Sequence, residues 1–191
     1  MINILTKRSQ VFRSRTVDVT LTIITLVLLA VGVSAGAAPD KDNNRAPDLG
    51  TCQHLSALAG NKVAYHVYAE GVQIYRWDGM SWIFLAPEAE LFADAGFNGT
   101  VGIHYAGPTW ESLSGSKVAG SAIDRCTPDP DAIPWLLLAA VNSQGPGIFH
   151  RVTFIQRVNT VGGLAPSDPG SFPGEVVRVD YTAEYFFYRA Q

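Results

Sequence analysis

The chain has 191 residues, of which 47% are hydrophobic and 16% charged, and a formal net charge of −3. It is too apolar for a disordered chain and too short for a two-domain dehydrogenase. It also lacks the surplus of Lys and Arg that neutralises phosphates, so no nucleic-acid partner is expected.

Residues 1–37 read as a signal peptide. Lys7, Arg8, Arg13 and Arg15 precede the apolar run Leu21 to Val33, and Ala35 and Ala37 supply the small-residue pattern that a signal peptidase accepts, with Pro39 just beyond. An uncleaved anchor is the alternative, because no charge occurs from Val19 to Ala38; the short apolar stretch is nearer to a signal-peptide core than to a bilayer span. In either case the remainder is exported, to the periplasm or the extracellular space, with no membrane contact beyond this segment. Cleavage after Ala37 leaves about 154 residues at a net charge of about −6, enough for one ordinary domain with a mildly acidic surface.

Residues 38–61 form a polar leader, in which Asp40 to Gly50 reads as a flexible tether. Cys52 and Cys126 lie in the exported part, without C-x-x-C or metal-type spacing. In an oxidising compartment such a pair is expected to form a disulfide.

Residues 62–191 carry a hydrophobic period of two, β-branched and aromatic residues, and turn signals at short intervals. The first strand is expected at Lys62 to Ala69. Next comes a hairpin, Gly71 to Trp77 and Met80 to Leu85 joined by a two-residue Asp78-Gly79 turn, with Tyr75 facing Trp82, Ile74 facing Ile83 and Val72 facing Leu85. Further strands are expected at Thr100 to Ala106, Lys117 to Ile123, Ile148 to Asn159 and Glu175 to Arg189. Ile133 to Val141 fits a buried strand or a buried helix, and the turn residues Ser143 to Gly147 favour the strand. Val161 to Gly174, rich in Pro and Gly, is a loop. The last strand alternates a core face (Val177, Val179, Tyr181, Ala183, Tyr185, Phe187) with a wet one, until Phe186 and Tyr188 make both faces aromatic. Its length calls for a bend or bulge near Asp180. The fold class is all-β: a single-domain β-sandwich or closed β-barrel of about eight to ten strands.

Dinucleotide-binding, Walker A, H-E-x-x-H and G-x-S-x-G patterns are absent, and no cofactor is implied. Ser114 and Lys117 match S-x-x-K without its companion motifs. The densest polar and aromatic segment is Val101 to Glu111, where the Gly107-Pro108 turn lets His104, Trp110 and Glu111 converge on a small polar-aromatic or carbohydrate ligand. Arg157, where a strand runs into the Gly162-Gly163 loop, joins them as a binding candidate, beside Gln156 and Asn159. A binding or structural module is therefore one reading. A small secreted hydrolase or metal-dependent enzyme using His104 with Glu111 or with His66 is the other; the spacing of His66, His104 and His150 demands no metal. Glu88 and Glu90 read as a solvated edge, and Asn98-Gly-Thr100 as a glycosylation sequon on a surface turn.

The blocks YAEGVQIYRW, FLAPEAELFA, HYAGPTWES with GSKVAG, IPWLLLAAV, GIFHRVTFIQRVNTVGGLAP and VDYTAEYFFYR, in that order from about Lys62 to Arg189, resemble those of the DUF3455 family of exported bacterial and fungal proteins. The resemblance implies no catalytic residues. Some fungal members are labelled malate dehydrogenase, for which this chain has neither the nucleotide loop nor the length. Many bacterial members resemble one another in a cysteine after GGLAP, where this chain has Ser171.

Overall fold

The computed structural model describes residues 46–191, so the expected signal peptide and its cleavage site at Ala37 lie outside the described residues. After a single 3₁₀ turn at Gln53–Leu55 come eight strands: β1 (Asn61–Trp77), β2 (Trp82–Phe92), β3 (Thr100–Tyr105), β4 (Thr109–Ser112), β5 (Lys117–Cys126), β6 (Trp135–Gln144), β7 (Val152–Gly162) and β8 (Val176–Ala190). Each pairs antiparallel with the next, and β8 pairs back onto β1, closing a barrel.

The period of two puts Tyr65, Val67, Ala69, Leu91, Trp110, Val118, Leu138, Ile155, Tyr181, Ala183, Tyr185 and Phe187 inside. Tight curvature brings strands close enough that glycine is needed: a Cβ on Gly71 would overlap the Glu88 carbonyl oxygen, and one on Gly102 that of Glu111. An eight-stranded barrel is just wide enough to be filled by side chains or to hold one small ligand. Both occur here. At the end where β1 starts and β8 finishes, Phe149 plugs the interior, its ring 4.7 Å from Phe187 and 6.3 Å from Tyr65. Toward the other end Trp110 and Tyr185 border a cavity, and Tyr181 lies buried beyond Tyr185.

A second apolar cluster lies on the outside. Leu49, Cys52 and Leu55 pack over Val63, Leu137, Val158, Phe186 and Tyr188. The Cys52–Cys126 disulfide holds them there, with a Cα separation of 5.8 Å. Gln156 Nε2 donates to the Leu55 carbonyl at 2.6 Å, and the Tyr188 hydroxyl donates to Gln156 Oε1. This cover explains why both faces of β8 are aromatic at its end. It also reaches the end of the expected tether, where Leu49 is only 4% exposed; residues 40–45 of that stretch lie outside the described residues.

The hairpin register differs from the expected one. Trp77 pairs with Trp82 and Tyr75 with Phe84, with a bulge at Ile74/Tyr75. The cause is Asp78, whose carboxylate accepts from the backbone N–H groups of both Met80 and Ser81 at 2.8 Å and opens the turn to four residues. Further corrections concern extent. β1 runs unbroken through Gly71, β2 continues to Phe92, and Ile148 to Arg151 turn before β7 begins. Thr109 to Ser112 is a strand, not part of a turn. The irregularities along β8 lie in its partners, between Val63 and Tyr65 of β1, between Val152 and Phe154 of β7, and between Val158 and Val161 of β7, where Asn159 takes a φ of 50°. No bulge is needed at Asp180. The ambiguous apolar run Ile133 to Val141 supplies most of β6.

Candidate functional site

The wall of the barrel is notched. β3 and β4 are the shortest strands, and their turn at Gly107-Pro108 ends early. On one side β2 pairs with β3 only from Ala89 onward, and on the other β5 pairs with β4 only up to Ala119. Pro87 fits this arrangement, since a residue without an N–H is tolerated where β3 is missing. Behind the notch is a cavity of about 300 Å³, walled by Phe84, Leu85, Pro87, Leu136 and Leu138 and floored by His104, Trp110 and Tyr185, with Gln73 and Arg157 also lining it.

His104 and Trp110 are cross-strand partners on β3 and β4, and their rings stack at 4.4 Å and 8°. Tyr185 meets both edge-on, at 5.2 and 5.3 Å. His104 Nδ1–H donates to the Thr109 carbonyl at 2.9 Å. Burial pushes the His104 pKa down to about 3, aided by the nearby Arg157 charge and only partly opposed by that hydrogen bond. The ring is therefore neutral, with its proton on Nδ1 and a lone pair on Nε2. Burial likewise pushes the Tyr185 and Tyr181 phenols up, so both keep their protons.

Arg157 enters from β7. Its Nε and Nη2 donate to the Pro134 carbonyl at 3.1 and 2.7 Å. Among the described residues it makes no ion pair, and it is the one charged residue lining this cavity. Gln73 is 2% exposed and its Nε2 has no partner; Trp110 Nε1 is buried and likewise unpartnered. The Tyr75 hydroxyl, by contrast, is committed to the Gly163 carbonyl at 2.7 Å.

Of the four residues expected to bind, three gather here: His104, Trp110 and Arg157. Glu111 does not. Because β4 is a strand, neighbours face opposite ways, and Glu111 sits outside, 3.0 Å from Lys117 Nζ and accepting from the Tyr105 hydroxyl at 2.9 Å. These two partners hold its carboxyl below the usual range. The pairing of His104 with His66 fails for the same reason. His66 is on the outer face, stacked on Phe186 at 3.9 Å and bonded to Glu184 at 2.8 Å, with the barrel wall between it and His104. His150 is exposed at a turn. Lys117 is occupied by Glu111, and Ser114 shares a hydrogen bond with Ser112. The pocket thus holds an imidazole, a guanidinium, an amide and one phenol, but no carboxylate to work with them.

Gln73 was not among the expected site residues, although it carried a signal. It falls in phase with the inward series Tyr65, Val67, Ala69 and Tyr75, a polar side chain at a core position. Splitting β1 at Gly71 hid that phase.

Fold and pocket together define a class: a closed eight-stranded antiparallel barrel, stapled by one disulfide, with a ligand-sized cavity behind a notch in its wall. The family described as "Protein of unknown function (DUF3455)" matches residues 58–189, and the chain belongs to that family. No curated protein and no solved structure gives a match. Among the described residues no helix is long and apolar enough to cross a membrane.

Proposed function

We propose that the protein is an exported binding module whose barrel mouth takes one small molecule with a flat aromatic or apolar body. The observation that carries this reading is the cavity of about 300 Å³ whose floor is the stacked His104–Trp110 pair and whose walls are apolar. Pre-formed apolar cavities of this size with a few polar groups are the usual form of a small-molecule site. Apolar walls with so few polar groups favour an aromatic occupant over a carbohydrate, which needs a hydrogen bond for nearly every hydroxyl.

Isothermal titration of the purified protein with 2-naphthol tests the site, with glucose and cellobiose as sugar probes. Naphthol is expected to bind, and Ala122→Trp, which places an indole on the exposed β5 residue that lines the cavity, to abolish binding while leaving the unfolding temperature unchanged. Binding of the sugars without naphthol, or naphthol binding undiminished in the variant, would overturn it. Export is tested by sequencing the N-terminus of protein recovered outside the cytoplasm. A start at Ala38 is expected, and full-length protein retained in the cytoplasm would count against it.

A further inference from the structure

The polar groups of the pocket are unbalanced. Arg157 uses Nε and one Nη2 hydrogen on the Pro134 carbonyl, which leaves guanidinium hydrogens unspent. Gln73 Nε2 and Trp110 Nε1 are buried donors with nothing to donate to. The Gln73 amide and the guanidinium both lie beside the Tyr181–Tyr185 phenol pair, so they approach the same part of the cavity. Against these donors the lining offers only neutral acceptors, His104 Nε2, Gln73 Oε1 and the Tyr185 hydroxyl oxygen, and no negative charge. Buried donors without acceptors are costly, and so is a half-buried cation without a counter-ion. Native proteins keep such groups where something else supplies the missing half.

We propose that the ligand is an organic acid, held with its carboxylate on Arg157 and Gln73 and its apolar body over the His104–Trp110 stack. This rests on the pocket reading above and adds the sign of the ligand's charge. A carboxylate brings two oxygens, about four acceptor sites and one negative charge, which complements the surplus of donors. A sugar would bring as many donors as acceptors. An amine would meet the guanidinium with like charge. Phe84 and Leu85, 49% and 43% exposed at the rim, allow the apolar body to extend through the notch.

The test uses a pair of probes of one shape, 2-naphthoate and 2-naphthamide, titrated calorimetrically into the protein at neutral pH. Naphthoate is expected to bind at least about tenfold more tightly, the scale of one charge-assisted contact. Arg157→Met removes that preference and leaves naphthamide affinity within about twofold. Arg157→Lys keeps part of the preference, which separates loss of charge from loss of fold. Gln73→Met, close in volume, weakens naphthoate by at least about threefold without lowering the unfolding temperature, because it removes an unpaired donor. Equal affinity for the two probes overturns the assignment of an acid and leaves the pocket reading standing. If neither probe binds, the pocket reading falls and this inference with it.

Discussion

Acidification destabilises this barrel through one buried ring. Folded His104 has a pKa of about 3, against an ordinary value of 6.5 in the unfolded chain. Between those values the unfolded chain binds a proton that the folded one refuses. The stability contribution is therefore complete above about pH 6.5 and is lost as the pH falls toward 3. Linkage over that interval gives a loss of about 2.7 kcal/mol on going from pH 7.5 to 4.5. The assay is urea unfolding at both pH values, for the wild type and for His104→Asn, whose amide can still donate to the Thr109 carbonyl but does not titrate. Carboxylates such as Glu88 and Asp78, held low by their partners, lose their contribution at lower pH in both proteins and cancel in the comparison. With a slope of about 1–3 kcal/mol/M, the wild type's midpoint falls by roughly 1–3 M more than the variant's. Equal losses in the two proteins would refute the assignment of a neutral, buried His104.

The double variant Cys52→Ala, Cys126→Ala opens a loop spanning 74 residues and is expected to lose about 4 kcal/mol in chemical denaturation, with proteolysis beginning before Asn61. Gln156→Leu strands the Leu55 carbonyl and the Tyr188 hydroxyl under the outer cover and costs about 2–4 kcal/mol by the same assay. Gly71→Ala forces a methyl into the Glu88 carbonyl, and little folded protein should be recovered, as circular dichroism of the soluble fraction will show. Glu111→Ala, on the outer face, leaves naphthoate affinity unchanged in calorimetry; a clear loss would put the site on the wrong side of the wall.

The period of two was legible in the sequence because a barrel strand has one inner and one outer face, and β8 displays both through Tyr181 and Ala183 and their polar neighbours Asp180, Thr182 and Glu184. The Cys52–Cys126 bridge was legible from composition and compartment. The hairpin register was not, because Asp78 can serve a two-residue turn through its backbone or a four-residue one through its carboxylate, and only the latter bonds form here. Thr109 to Ser112 is too short to display periodicity, so nothing local separated Trp110 from Glu111. Arg157 and His104 lie 53 residues apart, and their convergence depends on a ring closure that no local pattern encodes. Leu49 and Leu55 looked like isolated apolar residues in a polar leader because their partners, Phe186 and Tyr188, come near the other end of the chain.

The pairing of Asn61 with Ala190 means that the first strand waits for the last. A ribosome must have delivered nearly the whole chain before the ring can shut, and until then β1 has one edge unpaired. Contacts so distant in sequence are formed slowly. For a chain read as carrying an export signal, that slowness is useful: the nascent protein stays thin enough to thread through a translocation channel. On that reading the ring would close only once β1 and β8 stand on the same side of the membrane, where the Cys52–Cys126 bridge would then lock the cover in place.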